Sequence, residues 1–216
     1  MPCSCGFREA VDQLFNEQVA ARDLAGYRKK GPGPTARLLV DGLTKAGTIE
    51  GVLLDIGSGI GALTFELLDR GLSRGIAVDA SMAYVSAGRE EAVRRGRADV
   101  TEFVHGDFLD LASRLPRARV VTLDRVICCY PDYEPLIEEA LRHAERSFAL
   151  SYPRDRWWVR TLIAAENAGR RLRGKSFRTY VHPAAQVEAI IDRAGFRAVS
   201  RRRTWVWSAD VYLRST

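Results

Sequence analysis

The chain has 216 residues, enough for one domain with a substantial core, and its 46% hydrophobic and 28% charged residues make a globular composition. The longest apolar runs, such as "GVLLDIG" and "ARVVTLDRVICCY", are too short to span a bilayer, and "MPCSCGFREAVDQ" lacks the basic start and apolar stretch of a secretory signal. Four cysteines do not make a disulfide scaffold, so a reduced, cytoplasmic setting is expected. The net charge of +6 is uneven: Arg154 to Arg203 holds 13 Lys and Arg against 4 Asp and Glu, while Met1 to Pro153 holds 19 against 22. That asymmetry suits either an acidic partner for the C-terminal third or a solvated arginine-rich helix face.

In chain order, Val11, Leu14, Phe15, Val19 and Leu24 recur at helical spacing between Phe7 and Ala25. A turn at Gly31 to Pro34 follows, with Thr35 a candidate cap for a helix carrying Leu38, Leu39 and Leu43. From Gly51, short apolar strands alternate with helical segments. "VLLDI" precedes a helix from about Gly59 to Arg70, then come "GIAVD", a helix from Ser81 to Arg95 and "VTEFVHG". A short turn or helix near Asp107 to Ser113 leads to "VVTLDRVICC", a helix from Asp132 to Glu145 and "SFALSYP". This rhythm predicts an α/β fold, doubly wound around a mostly parallel sheet. A helix from about Asp155 to Arg173 and another through "AAQVEAIIDRAG" precede "FRAVSRRRT" and "VWSADVYLR", two strands so tightly joined that they must be antiparallel. The chain thus divides into N-terminal helices (1–45), a ligand-binding core (51–153), a cap insertion (154–182), and a final helix with a hairpin (183–216), all within one domain.

"LLDIGSGIGALTFELL" sets Gly57, Gly59 and Gly61 between a strand and a helix, where the backbone can turn sharply and approach a ligand. With Ala62 the loop also satisfies the dinucleotide pattern, so a nicotinamide enzyme has to be weighed. Asp55, Asp79 and Asp107 then close or follow successive strands. Asp55 suits an ammonium group, Asp79 a pair of ribose hydroxyls, and Asp107 an adenine amino group. Three carboxylates favour a cationic nucleoside over a diphosphate.

These motifs, "LLDIGSGIG", "AVDASM", "HGDF" and "LDRVICCYP", resemble those of class I S-adenosylmethionine-dependent methyltransferases. The resemblance implies a Rossmann-like methyltransferase fold with seven strands, the last of them antiparallel. It implies S-adenosylmethionine as cofactor, its methionine part against Gly57, Gly59 and Gly61 near Asp55, and its ribose on Asp79. Ala80, Met82, Gly106, Asp107 and Phe108 would surround the adenine.

Further along, the Tyr-Pro step at Tyr130, the strand ending in Ser-Tyr-Pro and the "RTYVH" segment are similar to magnesium-protoporphyrin O-methyltransferases, which methylate a propionate of an anionic tetrapyrrole. One position departs: the family's His before Tyr-Pro is Cys129 here, which points to a different acceptor. By the resemblance Tyr27 corresponds to a pocket tyrosine in the N-terminal cap. A carboxylate acceptor, with a pKa of ~4, needs no base. A phenol or amine would need one, for which Tyr130, Tyr27 and His182 are candidates, His182 being equally a packing residue before Pro183. Cys129, Arg154, Arg156, Trp157, Arg178 and Tyr180 are the acceptor-side candidates, the arginines through bidentate pairing and the tryptophan as an aromatic wall.

In "RVICCYPDYEPL", strand alternation would put Val126 and Cys128 on one face and Ile127 and Cys129 on the other, with Asp132 capping the next helix. The stretch is expected to be a pocket floor, with no metal among Cys3, Cys5, Cys128 and Cys129. The leading expectation is methyl transfer to a small, anionic or aromatic acceptor. A tetrapyrrole propionate, RNA or protein as acceptor, and a non-catalytic S-adenosylmethionine-binding protein, are the alternatives. No nucleic-acid module is visible.

Overall fold

The computed structural model describes residues 11 and 13–215. Cys3, Cys5 and the start of the helix expected from Phe7 lie outside them. Asn16 opens α1 (Glu17–Lys30) by accepting a hydrogen bond from the Val19 N–H at 3.2 Å. The cap expected at Thr35 is not one. Gly33 occupies that position and Pro34, whose missing N–H is harmless in a first turn, starts α2 (Pro34–Lys45), with Thr35 buried inside the helix.

The β/α alternation follows as β1 (Val52–Ile56), α3 (Ala62–Leu68), β2 (Arg74–Asp79), α4 (Met82–Arg94), β3 (Thr101–His105), α5 (Phe108–Leu111) and β4 (Ala118–Asp124). It continues with α6 (Glu134–His143), β5 (Ala144–Pro153), α7 (Trp157–Leu172), α8 (Ala184–Arg193), β6 (Phe196–Arg203) and β7 (Trp207–Arg214). The seven strands form one sheet in the order β3-β2-β1-β4-β5-β7-β6, parallel through β5, with β7 antiparallel to both its neighbours. The expected closing hairpin is therefore present, and the sheet is the doubly wound, mostly parallel one read from the sequence.

Strand alternation divides the core. Leu54, Ile56, Val121, Leu123 and Phe148 face α6 and α8, meeting Leu136, Ile137, Ile190 and Ile191. Leu53, Val120 and Ala149 face the other way, onto Leu39 and Leu43 of α2 and Leu63 and Leu67 of α3. On that same side α1 packs Leu24 and Tyr27 with Phe65, Tyr84 and Phe103. Apolar cover on both faces explains why the central strands are continuous hydrophobic runs.

Two expectations fail around the fourth strand. It stops at Asp124, because Arg125 takes a left-handed backbone conformation (φ 63°), the one non-glycine residue to do so among those described. Ile127 to Cys129 form a single tight helical turn, so the alternation of Val126 and Cys128 against Ile127 and Cys129 does not exist. Asp132 does not cap α6, which begins after Tyr133 with no side-chain cap bond. The apolar composition of "RVICC" resembles a strand because both a buried strand and a buried turn need such residues.

Among the described residues no helix is long and apolar enough to cross a membrane. Gly88 on α4 fits against β3 only because it lacks a side chain: a Cβ there would stand 2.2 Å from Phe103 Cε1. Phe103 is buried between α3 and α4 and has little room to retreat. Gly88→Ala should therefore destabilise the fold by roughly 1–3 kcal/mol despite alanine's better helix propensity. Urea unfolding measures it, and a stability equal to or above wild type would contradict this packing.

Candidate active site

The C-terminal ends of β1, β2 and β4 converge on a cleft of about 1180 Å³. Gly57 enters it at φ 64°, with its Cα so close to the segment leaving β4 that a Cβ would lie 2.5 Å from Val126 Cγ2. Gly61, at φ 80°, turns the chain into α3 against the Phe103 ring. Asp79 fastens this loop from the next strand. One carboxylate oxygen accepts from the Gly59 N–H at 2.7 Å and the other from the Ser81 N–H at 2.8 Å. A single side chain thus ties the glycine loop to the start of α4.

Asp55 is buried at the floor, where Thr64 Oγ1 (2.8 Å) and Thr122 Oγ1 (2.6 Å) each donate to one of its oxygens. Burial pushes its carboxyl up to about 7, the two hydroxyls only partly offsetting the loss of water. Asp107 caps α5 by accepting from the Leu109 N–H at 3.0 Å and also accepts from the Tyr130 hydroxyl at 3.1 Å. Burial first, then the Asp107 charge, raises the Tyr130 phenol well above its ordinary range. Asp124, at the end of β4, takes a hydrogen bond from Ser151 Oγ and is likewise raised by burial.

The cleft's roof comes from the chain's two ends of the cap. Phe15 lies tilted against Tyr84 with ring centroids 5.4 Å apart and meets Phe177 edge-on at 5.5 Å, while its carbonyl accepts from Ser81 Oγ at 2.7 Å. Leu162 and Ile163 of α7, Phe177 and Trp207 add an apolar wall.

Of the residues singled out in the sequence, Asp55, Gly57, Gly59, Asp79, Ala80, Gly106, Phe108, Tyr27, Cys129 and Tyr130 line the cleft. Gly61 instead packs beneath the loop, Met82 opens α4 at 47% exposure, and Asp107 bonds Tyr130. Tyr27 donates its hydroxyl to Glu66 at 3.2 Å under the Arg95 guanidinium, and burial raises its phenol, so it is a poor base. His182 lies outside the lining. Its Nε2 bonds the Ile127 carbonyl at 3.0 Å, its ring lies 4.0 Å from that of Tyr133, and burial lowers its pKa. Tyr180 donates its backbone N–H to the Cys128 carbonyl at 2.8 Å. Both residues therefore clamp the Ile127–Cys129 turn from behind.

The cap arginines named from sequence are not brought to the cleft. Arg154 reaches the Thr204 and Trp205 carbonyls at 3.3 Å, and Arg178 those of Lys175 and Phe177. Arg156 precedes α7 at the surface, and Trp157 is 78% exposed. Cys128 is buried with its thiol on the Arg125 carbonyl at 3.3 Å, and the neighbouring Cys128 thiol together with burial raises Cys129. Among the described residues no group of three or more His, Cys, Asp or Glu could hold a metal ion. Sequence reasoning missed Thr35, Asp124, Arg125, Arg170, Phe177 and Trp207, all of which line the cleft. Asp124 was within reach of the rule that found Asp79, since it too is a carboxylate closing a parallel strand.

A mostly parallel sheet with a glycine loop after its first strand and a carboxylate closing its second makes a Rossmann-like core. Residues 53–147 match a family model described as a methyltransferase domain. No curated protein matches the sequence. Among solved structures, magnesium protoporphyrin IX methyltransferase from Synechocystis PCC 6803 with bound SAM superimposes with a TM-score of 0.70 at 20% identity, over 97% of each chain. The same protein with bound SAH gives 0.69 at 21% identity, over 84% of this chain and 82% of that one. An O-methyltransferase family protein from Burkholderia thailandensis gives 0.73 at 15% identity, over 95% of this chain and 63% of that one. Residues 53–147 are thus similar to a methyltransferase domain, and the whole sheet has the Rossmann-like methyltransferase fold that these solved structures share.

The raised Asp55 carboxyl has a consequence for stability. Its folded value of about 7 exceeds the ordinary 3.8, so the native state holds the proton longer than the unfolded chain. Its contribution is complete below about pH 4 and fades as pH rises toward 7. Asp55→Asn should match wild type near pH 4 and exceed it at pH 8, by on the order of 2 kcal/mol. Denaturant unfolding across that range measures the difference, and parallel pH profiles for the two proteins would refute it.

Proposed function

We propose that the protein transfers a methyl group from S-adenosylmethionine to a small acceptor with an aromatic or apolar body and an anionic group. The continuity of one cleft, from the glycine loop to the wall of Leu162, Ile163, Phe177 and Trp207, supports this most directly. The residues fit the cofactor. A Cβ at Gly59 would meet nothing within 4 Å, so the loop leaves room beside its backbone, and Asp79 already directs both oxygens along the loop's rim.

In this reading Gly57 and Gly59 flank the methionine portion, Asp79 takes the ribose hydroxyls, and Ala80, Gly106, Asp107 and Phe108 border the adenine. The cofactor brings an activated methyl on a sulfonium, so placement and exclusion of water are what the protein must add. Phe15, Phe177 and the α7 wall shed water from the cleft. Tyr130 orients by donating its hydroxyl to Asp107; with its phenol raised it keeps its proton at neutral pH and is no base. An acceptor already ionised, such as a carboxylate, needs none.

Calorimetry should show S-adenosylmethionine and its demethylated product binding in the micromolar range, roughly −8 kcal/mol. Asp79→Ala should weaken both about tenfold or more, because the ribose loses a charged acceptor and the loop loses its tie. Undiminished affinity in that variant would overturn the assignment. Small-molecule extracts incubated with deuteromethyl-labelled cofactor should yield a labelled product by mass spectrometry. Tyr130→Phe should slow its formation while leaving cofactor affinity within about twofold, the pattern of a residue that orients the acceptor.

A further inference from the structure

Arg125 is the least expected residue in the cleft. It is the one non-glycine residue with positive φ among those described, a conformation that crowds an L side chain and that glycine or asparagine adopts with less strain. The kink is held from behind: the Arg125 N–H donates to Ser151 Oγ at 2.9 Å and to the Ser151 carbonyl at 3.2 Å. Its effect is to turn the side chain off the line of β4 and lay the guanidinium over the Trp207 ring, 4.7 Å from the centroid. Both residues line the cleft, one on each side of the β5 end.

Other arginines there are already engaged. Arg22 pairs with Asp23 at 3.2 Å, Arg37 donates to the Lys30 carbonyl, and Arg170 pairs with Glu166 at 2.6 Å while donating to Thr179 at 2.8 Å. Arg125 makes no ion pair and no side-chain hydrogen bond among the described residues; its contact is the indole face. The neighbouring Asp124 takes its hydrogen bond from Ser151 and feels the Arg125 charge only through space, without a salt bridge. An indole covering one face of a guanidinium restrains the plane yet leaves the N–H edge available, and that edge matches a planar oxyanion with two parallel hydrogen bonds.

We propose that Arg125, held by its left-handed backbone and by Trp207, is the specificity residue that reads a carboxylate on the methyl acceptor. The acceptor is then an acid whose apolar body lies along Leu162, Ile163 and Phe177. This rests on the cleft being the acceptor site of a methyltransferase, and it replaces Arg154, Arg156 and Arg178 as the source of acid recognition.

The probes are 2-naphthoate and the neutral 2-naphthalenemethanol, titrated calorimetrically into the full chain saturated with S-adenosylhomocysteine. Wild type should bind the acid roughly tenfold or more tightly than the alcohol. Arg125→Gly, which suits the backbone, should bind the two within about twofold of each other, with S-adenosylhomocysteine affinity kept. Arg125→Asn, neutral and tolerant of the same φ, should repeat that result if the glycine variant is poorly folded. Arg154→Gln and Arg178→Gln should keep the wild-type preference. A preference for the acid that survives in Arg125→Gly or Arg125→Asn overturns the inference, as does a wild type with no preference or no binding of the acid. Loss of S-adenosylhomocysteine binding by wild type itself would instead overturn the methyltransferase reading, so the two failures are distinguishable.

Discussion

The cleft exists because β1 is parallel to neighbours on both sides, pairing Asp55 with Ala77 of β2 and with Thr122 of β4. The crossover from β1 runs through α3 to β2 on one face, and the chain returns to β4 and runs through α6 to β5 on the other. Connections that leave opposite ways cannot fill the space above the strand ends between them, which is where ligands collect in open parallel sheets. Gly57 and Val126, one from each departing loop, touch across that gap. The glycine is needed because the two loops still come within van der Waals distance at their base before they diverge.

Three carboxylates stand at this junction, and their partners separate their roles. Asp79 is held by backbone N–H groups, rigid donors that suit an ionised acceptor. Asp55 and Asp124 are held by hydroxyls, which can rotate to serve either a protonated or an ionised carboxyl, and burial raises both. Asp55 is therefore built into the floor, while Asp79 is the one that fixes loop geometry. A carboxylate at a strand end is not by itself a ligand contact; the kind of donor it meets decides.

The sheet was legible because its signals are local and repeated: apolar runs of strand length, helical spacing, glycines between them, and a final pair of strands too close for a crossover. The glycine-loop side of the cleft was legible for the same reason, since Gly57, Gly59, Asp79 and Gly106 sit at fixed offsets from strand ends and all line it. The opposite side was not. Arg125 adopts a conformation that no propensity predicts for arginine, and "RVICC" became a turn where composition suggested strand. His182 and Tyr180 looked functional by residue type, yet their nearest contacts are with the turn they support. Trp207 reached the cleft only through the antiparallel pairing that brings it opposite Pro153.

Net charge misled for a physical reason. The four acidic residues between Arg154 and Arg203 each pair with an arginine of the same stretch: Asp155 with Arg160, Glu166 with Arg170, Glu188 with Arg201 and Asp192 with Arg197. Arg203 reaches Asp210 on β7, while Arg154 and Arg178 bond carbonyls. Exposed pairs of this kind contribute little and are screened by salt within ~8 Å. The excess of +9 in that third is thus distributed over a surface, whereas Arg125 belongs to the part of the chain whose balance is slightly acidic. A guanidinium acts as a recognition element when geometry leaves its edge open toward a ligand. Counting arginines along the sequence weighs the engaged and the open ones alike, so it pointed to Arg154, Arg156 and Arg178 and passed over Arg125.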